Sequence, residues 1–263
     1  MSTIIAGRSA ASYSALIPGL RRPDARAGKY EVGMKINRPG RPEDLPEASV
    51  LWARWAALAV ATWNAEEEKE RFRSGYWLGD SDSDLHYDDG ACSRWGFIRA
   101  EGGRAVLFGQ DDSSKVARYE PPIDLLAAAP GWVHRELPHD LLEQGGIECV
   151  YWFEDGSWHR APYPDDLHDD GLDCGIGHLT SRDHAVGEIC ALFEFDNDCE
   201  GAVEACEQFF EHAERGTVTG KVVRSFADEI FRIQTEYELL WPEAPIARSE
   251  TDLAAMTALV RWR

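Results

Sequence analysis

Two tight-turn signals in the middle of the chain most constrain its fold. The runs 94–100 and 104–110 are rich in aromatic and β-branched residues, and only a Glu-Gly-Gly segment separates them. The runs 147–154 and 157–161 are separated by Asp-Gly, a dipeptide typical of two-residue hairpin turns. Because such turns join antiparallel strands, the two hairpins predict an antiparallel sheet.

Helical periodicity lies on both sides of this sheet region, which we place at 92–162. Apolar residues recur at helical spacing after Pro46, and they predict a long helix over 46–73. Caps, glycine stops and a following proline mark several helices within 180–263. The expected helices are 46–73, 123–129, 138–144, 181–195, 199–215, 225–241 and 253–262.

The order of these elements indicates the fold class. A run at 132–137 is a further strand candidate, which brings the sheet to about five strands. A long N-terminal helix, then strands, then a helical C-terminal part is typical of an α+β fold rather than of a βαβ alternation. We therefore predict an α+β domain built on an antiparallel sheet of two hairpins.

Charge divides the chain into two parts. Residues 1–42 have a net charge of +6 and the whole chain −20, so the remainder carries −26. Frequent Pro, Gly and Ser predict that 1–43 is a flexible basic arm, whereas 44–263 is a single acidic globular domain. Met34, just before the first helix, is an alternative start of translation.

The acidic charge limits the classes of partner. A negative field repels nucleic-acid phosphates and anionic lipid, and it attracts basic protein surfaces. Long apolar runs and a signal-peptide core are both absent, so we expect a cytoplasmic protein with neither membrane nor nucleic-acid binding by its body. The irregularly spaced cysteines are expected to be reduced and packed in the core. They are Cys92, Cys149, Cys174, Cys190, Cys199 and Cys206.

The densest polar cluster is the segment 80–89, which Gly90 closes. Its alternate carboxylates resemble the opening of a helix–loop–helix calcium loop. Leu85 stands where that loop needs glycine, and Ala91 stands where it needs glutamate. The segment is therefore either a divalent-cation loop or an acidic loop that faces solvent or a protein.

Two further clusters follow the second hairpin. Five Asp and one His lie within 165–173, and their mutual repulsion costs stability unless solvent, a cation or a basic partner compensates it. Cys174, His178, Asp183 and His184 contain groups that bind zinc or pair a thiol with an imidazole. The paired Cys spacing of zinc sites is absent, so we expect these four residues to be structural.

The sequence favours binding over catalysis. It contains no nucleophile elbow, phosphate-binding loop, dinucleotide fingerprint or zinc-protease motif, and it implies no cofactor. In composition and architecture the acidic, Trp-rich α+β profile resembles the immunity proteins that bacteria keep against nuclease or other toxin domains. That resemblance implies a non-enzymatic inhibitor that neutralises a basic protein partner.

Three alternatives stay open at this point. The protein is a DNA mimic, a metal-dependent hydrolase built on an Asp-rich loop, or a scaffold whose basic arm binds the acidic body of another copy as a homo-oligomer.

The predicted partner surface combines carboxylates, which speed encounter, with aromatic anchors, which hold the complex. It comprises Asp80, Asp82, Asp84, Asp88, Asp89, Tyr87, Trp158, Tyr163, Asp165, Asp166, Asp169, Asp170 and Asp173. The sequence identifies no catalytic residue and leaves the question of a metal open.

Overall fold

The computed structural model of the chain describes most of the predicted globular domain. The described residues are 36–62, 75–79, 81, 83–143, 145–193, 195, 199–236, 257–258, 260 and 262. Most of the predicted basic arm, the second half of the predicted 46–73 helix and most of the predicted C-terminal helix lie outside them.

Six strands form one antiparallel sheet in which each strand pairs with the next along the chain. They are β1 (Gly75–Leu78), β2 (Asp84–Asp88), β3 (Arg94–Ala100), β4 (Arg104–Gln110), β5 (Cys149–Glu154) and β6 (Ser157–Arg160). Both predicted hairpins are confirmed, because β3 pairs with β4 and β5 pairs with β6. At the second turn Asp155 and Gly156 have φ of 52° and 77°, in the left-handed region that a type I′ turn requires.

The α+β class and the antiparallel sheet are confirmed, and the sheet has six strands where about five were predicted. Strands β1 and β2 were not expected because they are short and the second is bounded by aspartates. The candidate strand at 132–137 is instead helix α2 (Gly131–Glu136), in which consecutive residues Trp132 and Val133 are both buried. Burial of neighbouring residues is incompatible with a strand that has one covered face.

Seven helices accompany the sheet in the described residues. They are α1 (Ala48–Ala61), α2 (Gly131–Glu136), α3 (His139–Glu143), α4 (Leu172–Ile176), α5 (Arg182–Leu192), α6 (Glu200–Glu214) and α7 (Gly220–Glu236). Helix α7 begins earlier than predicted because Thr219, not Ser225, caps it by accepting a hydrogen bond from the Val222 N–H. The predicted helix at 123–129 is a series of turns.

Both faces of the sheet are covered. On one face Phe97, Leu107 and Tyr151 join the large core beneath α1 and the C-terminal helices. On the opposite face Val106 and Trp152 form a smaller core with the segment that contains α2 and α3. Adjacent residues of β4 and β5 thus alternate between two cores, so the central strands are buried on both faces.

Helix α1 is central to the larger core. Twelve of its fourteen residues are buried, so no face of the helix is left for solvent. It packs between the sheet and helices α5 and α6. An apolar helix of this kind is stable only when other elements surround it completely.

One charged residue of α1 is buried with it. Arg54, 8% exposed, donates to Glu214 Oε1 of α6 at 2.7 Å and to the carbonyls of Leu179 and Thr180 at 3.0 and 2.6 Å. Arg182 also binds Glu214. Burial alone would raise the pKa of Glu214, but the hydrogen bonds from Arg182 and Arg54 outweigh it and lower the pKa. Arg54, Arg182 and Glu214 are therefore all charged, and their ion pairs join α1, α5 and α6.

We expect Glu214→Gln to lower the free energy of unfolding by about 3–5 kcal/mol near neutral pH, because it leaves Arg54 buried without its carboxylate. Since the pKa of Glu214 is lowered from 4.5, its contribution is present above about that pH and is lost as the pH falls through the lower folded value. Urea unfolding at neutral and acidic pH measures both effects.

Glu211→Gln is the matched control on the same helix. Its ion pair with Arg215 is exposed, so it is worth about 0–1 kcal/mol. Equal losses for the two variants, or a Glu214→Gln effect that persists in acid, would contradict this role of the buried pair.

Candidate functional site at the acidic end of the sheet

Three acidic loops meet at one end of the sheet. The strand register places the ends of β2, β4 and β6 and the beginnings of β3 and β5 together, as the pairs Arg94–Gln110 and Tyr151–Arg160 show. The loops 89–93, 111–118 and 161–171 therefore leave the sheet on the same side. We call these three loops the acidic end.

This arrangement divides the first predicted cluster. Asp88 and Asp89 lie at the acidic end, at the same end of the sheet as the cluster at 165–173. Asp84 lies at the other end of β2, and therefore at the opposite end of the sheet, where its Oδ1 is 3.0 Å from His86 Nε2. Asp80 and Asp82 lie outside the described residues.

The carboxylates of the 89–93 loop shape the loop itself. Asp89 Oδ1 accepts the N–H groups of Ala91, Cys92 and Ser93 at 2.9–3.0 Å. Asp88 accepts the Gly90 N–H and binds Arg94 at 3.0 Å. These two predicted partner contacts thus have an internal structural role.

The 111–118 loop is fixed to both of its neighbours. It adjoins the 89–93 loop because Arg94, which follows that loop, pairs with Gln110. Burial and the nearby Asp89, Asp111 and Asp112 carboxylates raise the pKa of Cys92. The Lys115 N–H donates to the Asp169 carbonyl at 2.9 Å, and Tyr119 donates to the Asp166 carboxylate. The three loops are thereby joined into one surface.

Beneath this surface lies a buried carboxylate. Asp170 is 1% exposed, and it accepts the Gly40 N–H at 2.9 Å, the Tyr151 hydroxyl at 3.0 Å and the Cys149 thiol at 3.7 Å. Burial raises the pKa of both Cys149 and Tyr151, so each keeps its proton to donate. Asp170 ties residues 36–41 to the sheet and does not reach the surface.

The remaining carboxylates of the second cluster differ in exposure. Asp165 and Asp166 are exposed, whereas Asp169 is buried, its Oδ1 accepting the Gly171 N–H. Asp173 is half-buried and binds Arg38, whose Nε and Nη2 lie 2.8 and 2.7 Å from Asp173 Oδ2. Arg38 Nη1 is 3.6 Å from Asp169 Oδ2.

The contact of Arg38 with these carboxylates was not predicted from the sequence. Arg38 belongs to the segment that was predicted to be a flexible arm. The described part of that segment, residues 36–43, packs on the domain through Ile36, Arg38 and Gly40. The only sequence signal for this contact was charge, because a basic segment and an Asp-rich segment attract each other.

The three predicted aromatic anchors lie at different depths. Trp158 is 6% exposed, and its indole N–H donates to the Pro46 carbonyl at 2.7 Å, so it belongs to the core. Tyr87 stacks on Tyr76 with ring centres 4.7 Å apart and is partly exposed. Tyr163 lies under the Arg160 guanidinium, 3.9 Å away, and burial raises its pKa.

The third cluster is dispersed. His178 packs inside, with Nε2 at 2.6 Å from the Tyr76 hydroxyl, and that hydroxyl donates its proton to Glu188 at 3.0 Å. Burial lowers the pKa of His178, so the ring is neutral near pH 7 in this contact. Cys174 is exposed beside Arg38, and Asp183 is exposed on α5. Of the other three residues, His184 is the one whose charge also lowers the pKa of His178.

The described residues were also searched for metal-binding groups and membrane-spanning helices. Among the described residues, no group of three or more His, Cys, Asp or Glu side chains is placed to hold a metal ion. No helix of the described part is long and apolar enough to cross a membrane.

Comparison of the chain with protein-family models, curated proteins and solved structures finds no match.

We expect Asp170→Ala to lower the free energy of unfolding by about 2–4 kcal/mol, because it leaves the buried Gly40 N–H and Tyr151 hydroxyl without their acceptor. Asp165→Ala, in the same loop but exposed, should change it by about 0.5 kcal/mol or less. Urea unfolding of the two variants measures the difference, and similar values would show that Asp170 is not the structural carboxylate of the cluster.

Proposed function

We propose that this protein is a non-enzymatic binding protein that neutralises a basic protein partner, in the manner of an immunity protein that inhibits a toxin or nuclease domain. The acidic end of the sheet is the surface that we assign to this partner. An enzyme that acts on nucleic acid carries a basic groove, which is complementary to such a surface.

The observation that carries the proposal is the contact between Arg38 and the 165–173 cluster. The chain's own arginine lies on Asp173 and Asp169, with a guanidinium nitrogen at 2.7 Å from a carboxylate oxygen. A guanidinium is the group that a basic partner would present, and it binds carboxylates through several directed N–H groups. The loop thus has the geometry to accept an arginine.

Exposed carboxylates beside this contact extend the surface. Asp165 and Asp166 lie on the third loop, and Asp112 and Glu120 lie on or next to the second. The buried Asp170 holds the third loop in place from below. A surface whose charges are fixed before binding loses less entropy on association and discriminates better between partners.

Two exposed cations lie among these carboxylates. Lys115 and Arg118 are on the 111–118 loop, so the surface is a pattern of both signs rather than a uniform row of negative charge. Such a pattern favours a shape-specific protein partner over DNA mimicry, which needs carboxylates at phosphate-like spacing along one face.

The test begins with capture. The immobilised full chain is exposed at low salt to a lysate of the cells that encode it, and bound proteins are eluted with a salt gradient. The proposal predicts one basic protein at a defined salt concentration, and the purified protein is then used for kinetics.

We expect Asp165→Asn/Asp166→Asn to slow association with that protein by about 3–10-fold at low salt and to flatten its salt dependence, because steering by the acidic end weakens. Stopped-flow or surface-plasmon measurements at several ionic strengths give both quantities.

The control variant Glu207→Gln/Asp228→Asn removes the same charge from exposed positions on α6 and α7. A local binding surface predicts a much smaller effect for it. Equal effects of the two variants would show that net charge alone, and not a local surface, determines the binding. Failure to retain a basic protein would overturn the proposal.

A further inference from the structure

Two buried thiols face each other across the interface of α5 and α6. Cys190 Sγ and Cys206 Sγ are 3.9 Å apart, and the residues are 1% and 0% exposed. Cys190 lies in the last turn of α5, and Cys206 lies in the middle of α6. A disulfide needs a sulfur–sulfur distance of about 2.0 Å, so side-chain rotation has to close about 1.9 Å.

The two thiols are in contact. The Cys190 thiol donates a weak hydrogen bond to Cys206 Sγ at 3.9 Å. Since the thiolate is the nucleophile in thiol oxidation, whichever sulfur is oxidised first has the other beside it to resolve the sulfenic acid.

We infer that Cys190 and Cys206 form an oxidation site, at which a peroxide converts the facing thiols into a disulfide that links α5 to α6. The thiolate of one of the two cysteines attacks one oxygen of hydrogen peroxide, the O–O bond breaks, and a cysteine sulfenic acid and hydroxide form. The other sulfur then attacks the sulfur of the sulfenic acid, forms the S–S bond and releases a second hydroxide. With the protons of both thiols, one peroxide is reduced to two waters.

A third buried thiol could compete for the disulfide. Cys199 is buried at the N-terminal end of α6 and contributes to the electrostatic environment of Cys206. The described contacts pair Cys190 with Cys206, so the disulfide predicted is the one that closes residues 190–206.

Location in the core determines the expected consequences. Helices α5 and α6 both pack against α1, so a covalent link between them restrains the unfolded chain without rearranging the sheet. Hydrogen peroxide is the appropriate oxidant because it is little larger than water, whereas a bulky disulfide reagent is excluded from a buried pair. This inference is independent of the proposed partner binding.

The experiment treats the full chain with hydrogen peroxide under native conditions and then blocks the remaining thiols with iodoacetamide in denaturant. Cleavage after glutamate is essential, because all three cysteines lie between Arg182 and Arg215 without another tryptic site. It separates Cys190 in 189–194, Cys199 in 195–200 and Cys206 in 205–207.

The expected product is the 189–194 peptide joined to the 205–207 peptide, with a mass two hydrogens below the sum of the free peptides. The oxidised protein should melt higher by about 5–10 °C, and dithiothreitol should reverse this shift. Cys174→Ser, which removes an exposed thiol, should leave the cross-link unchanged, whereas Cys206→Ser should abolish it.

Two results would overturn the inference. In the first, both Cys190 and Cys206 are recovered alkylated after peroxide has oxidised the exposed Cys174. In the second, Cys190 is found joined to Cys199. Both readings come from the unmutated chain, so they do not depend on the folding of a variant.

Discussion

The complete burial of α1 is the constraint on which the rest of the structure depends. A helix without a solvent face has to be enclosed, and here the sheet covers one side while α5 and α6 cover the other. Its one buried cation, Arg54, needs a carboxylate at a fixed place, and Glu214 supplies it from α6 at 2.7 Å. Arg54 also donates to the carbonyls of Leu179 and Thr180, so it holds the end of the connection from β6 to α5 that contains the acidic loop.

The aspartates of that region have two roles. Asp89 and Asp170 are acceptors for the chain's own N–H, hydroxyl and thiol groups, and they determine the shape of the loops. Asp165 and Asp166 are exposed on the loops that the first group shapes. Mutual repulsion within the cluster is relieved by Arg38, so the basic segment before α1 compensates part of the acidic surface. Binding of a basic partner by the acidic end would extend the same compensation.

Local signals in the sequence predicted much of the fold. The hairpins at 94–110 and 149–160 have turn chemistry and strands rich in aromatic and β-branched residues, and both appeared with nearly the expected bounds. Strand β2 could not be predicted, because only pairing with β1 and β3 makes an aspartate-flanked run of five residues into a strand. The prediction of a strand at 132–137 was wrong because the aromatic and β-branched residues of this segment also suit a short helix over the second core.

The candidate site was predictable only as a composition. Aspartate density indicated an acidic surface, but sequence alone could not distinguish exposed Asp165 from buried Asp170 in the same loop. The convergence of the three loops follows from strand register, which depends on contacts distant in the chain. Trp158, predicted as a surface anchor, lies in the core because its indole reaches the Pro46 carbonyl at the start of α1.

The central claim is that the three loops of the acidic end form one binding surface. Hydrogen–deuterium exchange of the full chain, with and without the basic protein recovered by capture, tests it most directly. We expect protection on binding within 89–93, 111–118 and 161–171 together, with little change in the turn between β5 and β6 at the opposite end. Protection confined to that opposite end or to α6 and α7, with these loops unchanged, would contradict it.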